Sequence, residues 1–209
     1  IKDGMKKLRE RMEFYKRVFD DDPTVDLRTR NVGVLKKSDA IKLCVVGPVA
    51  RASGIPTDVR RDDPYAAYDE IPFNVISYRD CDVWARLMVR VDEVIESTRI
   101  IEYAVDNLPA GPFRVRVPRR QPEGEAVSRV EAPRGELIHY VRSNGSAYPE
   151  RVKVRTPSFA NDFTLIEMLR GDHISNARII IESIDPCFAC TDRLVVVDLK
   201  SGRRRILTI

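Results

Sequence analysis

Asp185-Pro186-Cys187-Phe188-Ala189-Cys190-Thr191-Asp192-Arg193 is the stretch around which the rest of the chain is read. It holds two of the four cysteines, at CxxC spacing. An apolar run, Ala177 to Ile184, leads into it as a helix. Pro186 stops that helix, because proline has no N–H to donate and its ring clashes with the preceding turn. A turn of this spacing points both sulfurs the same way, so two thiolates can grip one soft metal ion. On spacing alone three readings stay open: half of a zinc site, a redox dithiol, or two unrelated thiols.

Working outward, the chain in front of this stretch reads as mostly helix. Met5, Leu8, Met12, Tyr15 and Phe19 recur at helical spacing over residues 3–19, and Asp20-Asp21-Asp22-Pro23 ends that helix. Ser38 is expected to cap a short helix running through Cys44. Gly47-Pro48-Val49-Ala50-Arg51-Ala52-Ser53-Gly54 reads as a tight loop whose small residues permit close approach of another backbone or a cofactor. Residues 55–73 are loop-rich, with three prolines. Asp80 is expected to open the longest helix, to about Asn107. Its stripe of Trp84, Leu87, Met88, Val91, Ile95, Thr98, Ile101 and Val105 marks a core face, with Arg86, Arg90, Asp92, Glu93 and Glu96 on the others.

Residues 113–130, rich in Arg, Pro and Glu, read as an irregular excursion, with a partner subunit as one thing it could touch. Glu136 to Arg142 and Glu150 to Arg155 alternate as two strands of a hairpin turned by Ser143-Asn144-Gly145-Ser146. Two short helices follow, about Asp162–Leu169 and Ile174–Ser183. After Arg193 the run Leu194 to Lys200, Ser201-Gly202 and Arg203 to Ile209 reads as a second hairpin. The whole is mainly α with a small antiparallel β-hairpin, an α+β class. His139 and His173 lack ligand spacing and read as structural or surface residues.

Composition narrows the function classes. At 209 residues and 43% apolar content the chain can bury one real core. No apolar run approaches the ~20 residues that span a bilayer. The net charge of +4 is mild and both signs are interspersed, so Arg119-Arg120 and Arg203-Arg204-Arg205 read as solvated surface, with no nucleic-acid partner. Four cysteines without a framework, Cys44 and Cys81 read as buried thiols, fit a reducing compartment. The start, Ile1-Lys2-Asp3-Gly4, is charged and has no initiator Met. It sets the expectation of a processed, split or partly represented chain.

Asp-Pro-Cys-x-x-Cys after an apolar helix resembles the C-terminal motif of nickel-iron hydrogenase large subunits. Gly47 to Gly54 and Glu131-Ala132-Pro133-Arg134-Gly135-Glu136 resemble two further blocks of that family, in the same order. The likeness covers roughly residues 30–200. Asp62-Asp63-Pro64-Tyr65 to Tyr68-Asp69 looks most like the membrane-bound, energy-converting branch, which is related to a core subunit of respiratory complex I. The resemblance implies the large-subunit helical core, with residues 1–193 as the C-terminal part of that domain and 194–209 as a tail. It implies an oxidoreductase reducing protons or oxidising hydrogen at a nickel-iron centre carrying cyanide and carbon monoxide, coupled to ion translocation. Cys187 would be a terminal nickel ligand and Cys190 a bridging one. Arg134 would overhang the open metal position, Asp185 would hold that arginine, and Pro157 and Ser158 would contact an iron-bound cyanide. Implied partners are the N-terminal half of the large subunit, an iron–sulfur small subunit, membrane ion-translocating subunits and ferredoxin, on the cytoplasmic side of a membrane.

Three departures from the family pattern keep other readings open. No second CxxC is present, so these residues supply half of a four-thiolate site. Arg193 stands where soluble members carry a His, and Arg cannot ligate a metal, so their additional magnesium-type site is expected to be lost. Sixteen residues follow Arg193, whereas nickel-loaded members usually have this segment removed. That sets the expectation of a precursor, or of a relative without nickel such as the membrane-bound sulfane sulfur (polysulfide) reductase. A non-catalytic coupling subunit like that of complex I is a further reading, although the complex I relatives lack the cysteine pair. A small zinc protein would need two more ligands close in sequence.

Overall fold

In the computed structural model, which describes residues 1–191, 193–199 and 201–208, two long helices frame the rest. Helix α1 (Lys2–Asp21) is followed by α2 (Pro23–Thr29), which Asp22 caps by accepting hydrogen bonds from the Thr24 and Val25 N–H groups. The short helices α3 (Lys37–Lys42), α4 (Gly47–Ala52) and α5 (Val59–Asp62) lead to the long helix α6 (Val83–Asp106). Charged pairs tie α1 along α6: Arg9 to Glu102 at 2.8 Å and Lys16 to Asp92 at 2.7 Å.

Three local expectations are corrected here. Ser38 is not a cap: Lys36 takes that position and its carbonyl accepts the Asp39 and Ala40 N–H groups, leaving Ser38 exposed inside the first turn. Residues 47–52 form a helix, not a loop, because Pro48 stands in its first turn with φ pre-set and the alanines favour continuation. Asp82, not Asp80, opens the long helix, accepting from the Ala85 N–H at 2.9 Å and also holding the Asn31 N–H at 2.9 Å.

Helix α6 is core from Val83 to Thr98, but Ile101 and Val105 stand at the surface. Its other faces are not solvent decoration. Arg86 is fully buried and Glu96 nearly so, because the helix is flanked by α1, α4 and the later helix Ala177–Ser183. Arg86 satisfies its guanidinium on the Ser183 hydroxyl and on the Cys81 and Gly33 carbonyls, at 2.8–3.2 Å. Burial lowers its pKa, which is the usual cost of a desolvated cation.

The expected hairpin is two strands of a three-stranded antiparallel sheet, β1 (Gly124–Ala132), β2 (Gly135–Ser143) and β3 (Arg151–Arg155). Strand β1 occupies part of the stretch read as irregular. Residues 124–129 are exposed, so no apolar alternation marks them, and pairing with β2 from Gly124–Ser143 to Ala132–Gly135 specifies the strand instead. Helices α7 (Pro157–Asn161), α8 (Thr164–Leu169) and α9 (Ala177–Ser183) follow, then a 3-10 turn at Phe188–Cys190. A second antiparallel pair, β4 (Arg193–Val197) with β5 (Arg204–Thr208), ends the described chain. Lys200 and Ile209, at the ends of the strands expected there, lie outside the described residues.

Ile180 and Ile184 pin the approach to the cysteine pair in a core cluster with Leu35, Val49, Val83 and Met168. Cys44 and Cys81 differ from the reading as buried thiols: Cys44 is exposed and Cys81 half-buried. Cys44 follows the end of α3 with φ +52°, a turn position that leaves its side chain outside the packing. Among the described residues no helix is long and apolar enough to cross a membrane.

Candidate functional site

Helix α9 ends where Asp185 adopts φ +56°, a left-handed position that Asp tolerates better than most residues. Pro186 then forbids continuation, and the chain turns through Cys187 to Cys190. The turn is closed by the Cys190 N–H donating to the Cys187 carbonyl at 2.9 Å. It is held from α7 by the Ser158 hydroxyl, which accepts the Cys187 N–H at 3.2 Å, and by the Thr156 hydroxyl, which donates to the Cys190 carbonyl at 3.0 Å.

Arg134 comes from the turn between β1 and β2 and reaches the same point. Its Nε donates to the Asp185 carbonyl at 2.5 Å and its Nη2 to Asp185 Oδ1 at 3.1 Å. Cys187, Cys190, Arg134, Asp185 and Ser158, singled out in the sequence, therefore share one neighbourhood, and Pro157 opens the helix that carries Ser158. His139, exposed on β2, and His173, which accepts from the Ser175 N–H, are not part of it. The two thiols are unequal. The hydrogen bond from Cys190 lowers the Cys187 pKa, against burial, with help from the Cys190 N–H and the Arg134 charge. Burial, then the interaction with Cys187, raises that of Cys190. Cys187 is thus the more acidic thiol of the pair and Cys190 the less acidic.

As a donor set, two cysteine sulfurs beside a guanidinium suit a soft metal. They fit half of a four-thiolate nickel-iron site and not a whole one. Among the described residues no group of three or more His, Cys, Asp and Glu side chains could hold an ion.

Three features support this neighbourhood through partners that the sequence did not show. Asn161, fully buried on α7, accepts the Val46 N–H at 3.1 Å, donates to the Val46 carbonyl at 3.1 Å and donates to the Arg134 carbonyl at 3.4 Å. Gly47 and Gly135 meet backbone to backbone. A Cβ on Gly47, at φ +66°, would lie 2.4 Å from the Arg134 carbonyl oxygen and the Gly135 Cα. The close approach expected of the Gly47–Gly54 block is thus made to the Arg134 loop. Gly47→Ala is expected to lower stability by roughly 2 kcal/mol or more and to displace Arg134. Thermal unfolding checks it, and a wild-type melting curve would argue against contact between the two backbones.

The third is Arg51, buried on α4. Its Nε donates to Glu93 Oε1 at 2.6 Å and its Nη1 to the Thr57 carbonyl at 2.8 Å and Glu131 Oε1 at 2.9 Å, with Asp58 at 3.8 Å. Burial opposes the Arg51 charge most, but Glu93, Glu131 and Asp58 together outweigh it and raise its pKa. Burial raises Glu93 and Glu131, while Asp58 stays lowered: burial opposes its charge, and the hydrogen bond and charge of Arg60 prevail. The only trace of this network in the sequence is Arg51 inside a small-residue block and Glu131 beside Pro133-Arg134.

The chain matches the model of the respiratory-chain NADH dehydrogenase 49 Kd subunit over residues 1–121 and 115–193. It is 42% identical to the carbon monoxide-induced hydrogenase of Rhodospirillum rubrum, over 84% of this chain and 49% of that protein. It is 36% identical to an NADH-quinone oxidoreductase subunit of Rhizobium etli, over 88% of this chain and 52% of the relative. A solved chain from the membrane-bound sulfane sulfur reductase, an archaeal respiratory membrane complex, superposes with a TM-score of 0.82 at 33% identity, covering 88% of this chain and 52% of that one. The chain spans about half the length of these relatives. With its mixed helical core and three-stranded sheet, it belongs to the family of the respiratory-chain NADH dehydrogenase 49 Kd subunit, which takes in hydrogenase-related subunits.

Proposed function

We propose that this chain supplies half of the catalytic large subunit of a membrane-bound, ferredoxin-linked oxidoreductase, with proton reduction or hydrogen oxidation at a nickel-iron centre coupled to ion translocation. The observation that carries the reading is the Cys187–Cys190 pair beside the Arg134–Asp185 ion pair. The relatives named as hydrogenases support it. Cys187 and Cys190 would hold the metal pair, with two further thiolates supplied from outside this stretch. When bound, the centre would supply the redox and hydrogen-splitting chemistry. The protein's part follows from its own groups. The Cys187 sulfur, the more acidic of the two, would serve in its thiolate form as a base that takes a proton at Sγ. Arg134, fixed at two points by Asp185, places a positive charge near the pair. Ser158 sets the Cys187 backbone and offers a hydroxyl beside it. Electrons would come from ferredoxin through an iron–sulfur partner, and a peripheral position on the cytoplasmic face of a membrane complex follows from the same reading.

A second reading, nickel-free reduction of sulfane sulfur on the same scaffold, is favoured by the likeness to the sulfane sulfur reductase chain. In that case Cys187 acts as a nucleophilic thiolate with Arg134 steadying its charge. Nickel content per large subunit, in the native complex purified without oxygen, separates the two. About one nickel supports the first reading. None in an otherwise active complex overturns it in favour of the second.

A further inference from the structure

Arg90 is a buried arginine of α6 whose guanidinium is left half-made. Its Nη1 donates to the Arg86 carbonyl at 2.8 Å, while Nε and Nη2 are buried without a partner. Arg86, one turn earlier, has every part of its guanidinium engaged. A buried donor left unsatisfied costs about 1–3 kcal/mol, and more when charged, so two on one cation are not explained by packing. Burial lowers the Arg90 pKa, and Asp185 and Glu93 act against that without reaching it.

The two free groups are not an arbitrary pair. Nε–H and the adjacent Nη2–H form the side edge of the guanidinium fork, whose parallel donors match the two oxygens of a carboxylate. Space exists on both sides. Arg90 lines one cavity of about 340 Å³, shared with Arg51, Glu93, Glu131 and Asp185, and another of about 310 Å³, shared with Thr29, Glu182 and Asp185. Each acid on these walls is engaged elsewhere: Glu93 and Glu131 on Arg51, Asp185 on Arg134, Glu182 on Arg178.

We propose that the Nε/Nη2 edge of Arg90 is a receptor for one carboxylate, bound by two parallel hydrogen bonds inside this pair of cavities and supplied from outside the described residues. The donor of that carboxylate is either an Asp or Glu of another polypeptide segment or a free small carboxylate. The proposal does not rest on whether nickel binds at the cysteine pair, although Asp185 borders both.

The test is a high-resolution structure of the native complex, determined with and without sodium formate. An Asp or Glu side chain of another segment on the Arg90 edge supports the proposal and assigns the polypeptide source. Planar density there only with formate supports it and assigns the free source. Asp185 or Glu93 turned onto the edge, or solvent alone in both states, overturns it. In solution, Arg90→Gln keeps a polar side chain but removes the fork and the charge. It should weaken whichever carboxylate binds by about tenfold or more, the scale of one charge-assisted hydrogen bond. The readout is the formate midpoint in thermal unfolding for the free source, or faster hydrogen exchange of the docked segment for the other. An unchanged value in that variant counts against the proposal.

Discussion

Cys187→Ser and Cys190→Ser each lose redox activity of the native complex by on the order of a hundredfold or more, while the complex still assembles. A hydroxyl does not ionise at working pH and is a hard oxygen, so either substitution removes a soft donor. The fold has little reason to notice. The contacts that hold the turn are main-chain bonds, Cys187 N–H to Ser158 Oγ at 3.2 Å and Cys190 N–H to the Cys187 carbonyl at 2.9 Å, and serine preserves both. Hydrogen uptake or polysulfide reduction by the purified complex, alongside its subunit composition, decides the matter. Full activity in either variant would sink the assignment of the pair. Loss of assembly in both would mean that the cysteines act in folding.

Arg51→Met should be the most destabilising single change in the buried polar network, at about 3–5 kcal/mol. The methionine fills much of the volume, but Glu93, Glu131 and Asp58 lose their shared cation and remain desolvated. For a chain of this size the loss reads as a fall in Tm on the order of 10 °C. The deficit should shrink as pH is lowered. Burial already raises the Glu93 and Glu131 pKa values, and without Arg51 they rise further. The folded variant then binds more protons than its unfolded chain, so its stability declines as pH increases and recovers towards the ordinary carboxylate range. Partial rescue by Glu131→Gln in the same background tests the cause. A variant within about 0.5 kcal/mol of wild type, the scale of an ordinary surface substitution, would remove the network from the account.

What the sequence made legible was whatever repeats locally or matches a motif. The stripe of α1, the apolar run before Pro186, the β2–β3 alternation and the CxxC spacing all announce themselves within a few residues. Arg134 and Asp185 were legible only through family blocks, since nothing in either segment says that they meet 51 positions apart. Buried charges were the characteristic miss. Arg86, Glu96 and Arg90 sit between apolar residues of α6 and read as its outer faces, because periodicity registers apolar positions and is silent about partners far along the chain. Asn161 left no trace at all: its value lies in gripping Val46, 115 residues away. Strand β1 was missed for the opposite reason, being exposed and held by backbone pairing with its neighbour.

The Asn161 grip on Val46 and Arg134 also bears on the order of folding. The separations that close this neighbourhood are 115 residues for Val46 to Asn161, 51 for Arg134 to Asp185 and 29 for Ser158 to Cys187. Each closure is entropically costly, and the longest pairings form late in a folding chain. Every partner precedes Cys187 in the chain, so a growing polypeptide already carries Val46, Arg134, Ser158 and Asn161 when its two thiols are added. The difference between the two thiols comes first from their own contact and from the burial of Cys190, while the docked Arg134 charge lowers both. Whether the neighbourhood has closed is therefore read from the Arg134–Asp185 contact, 51 residues apart, and not from the acidity of the thiol.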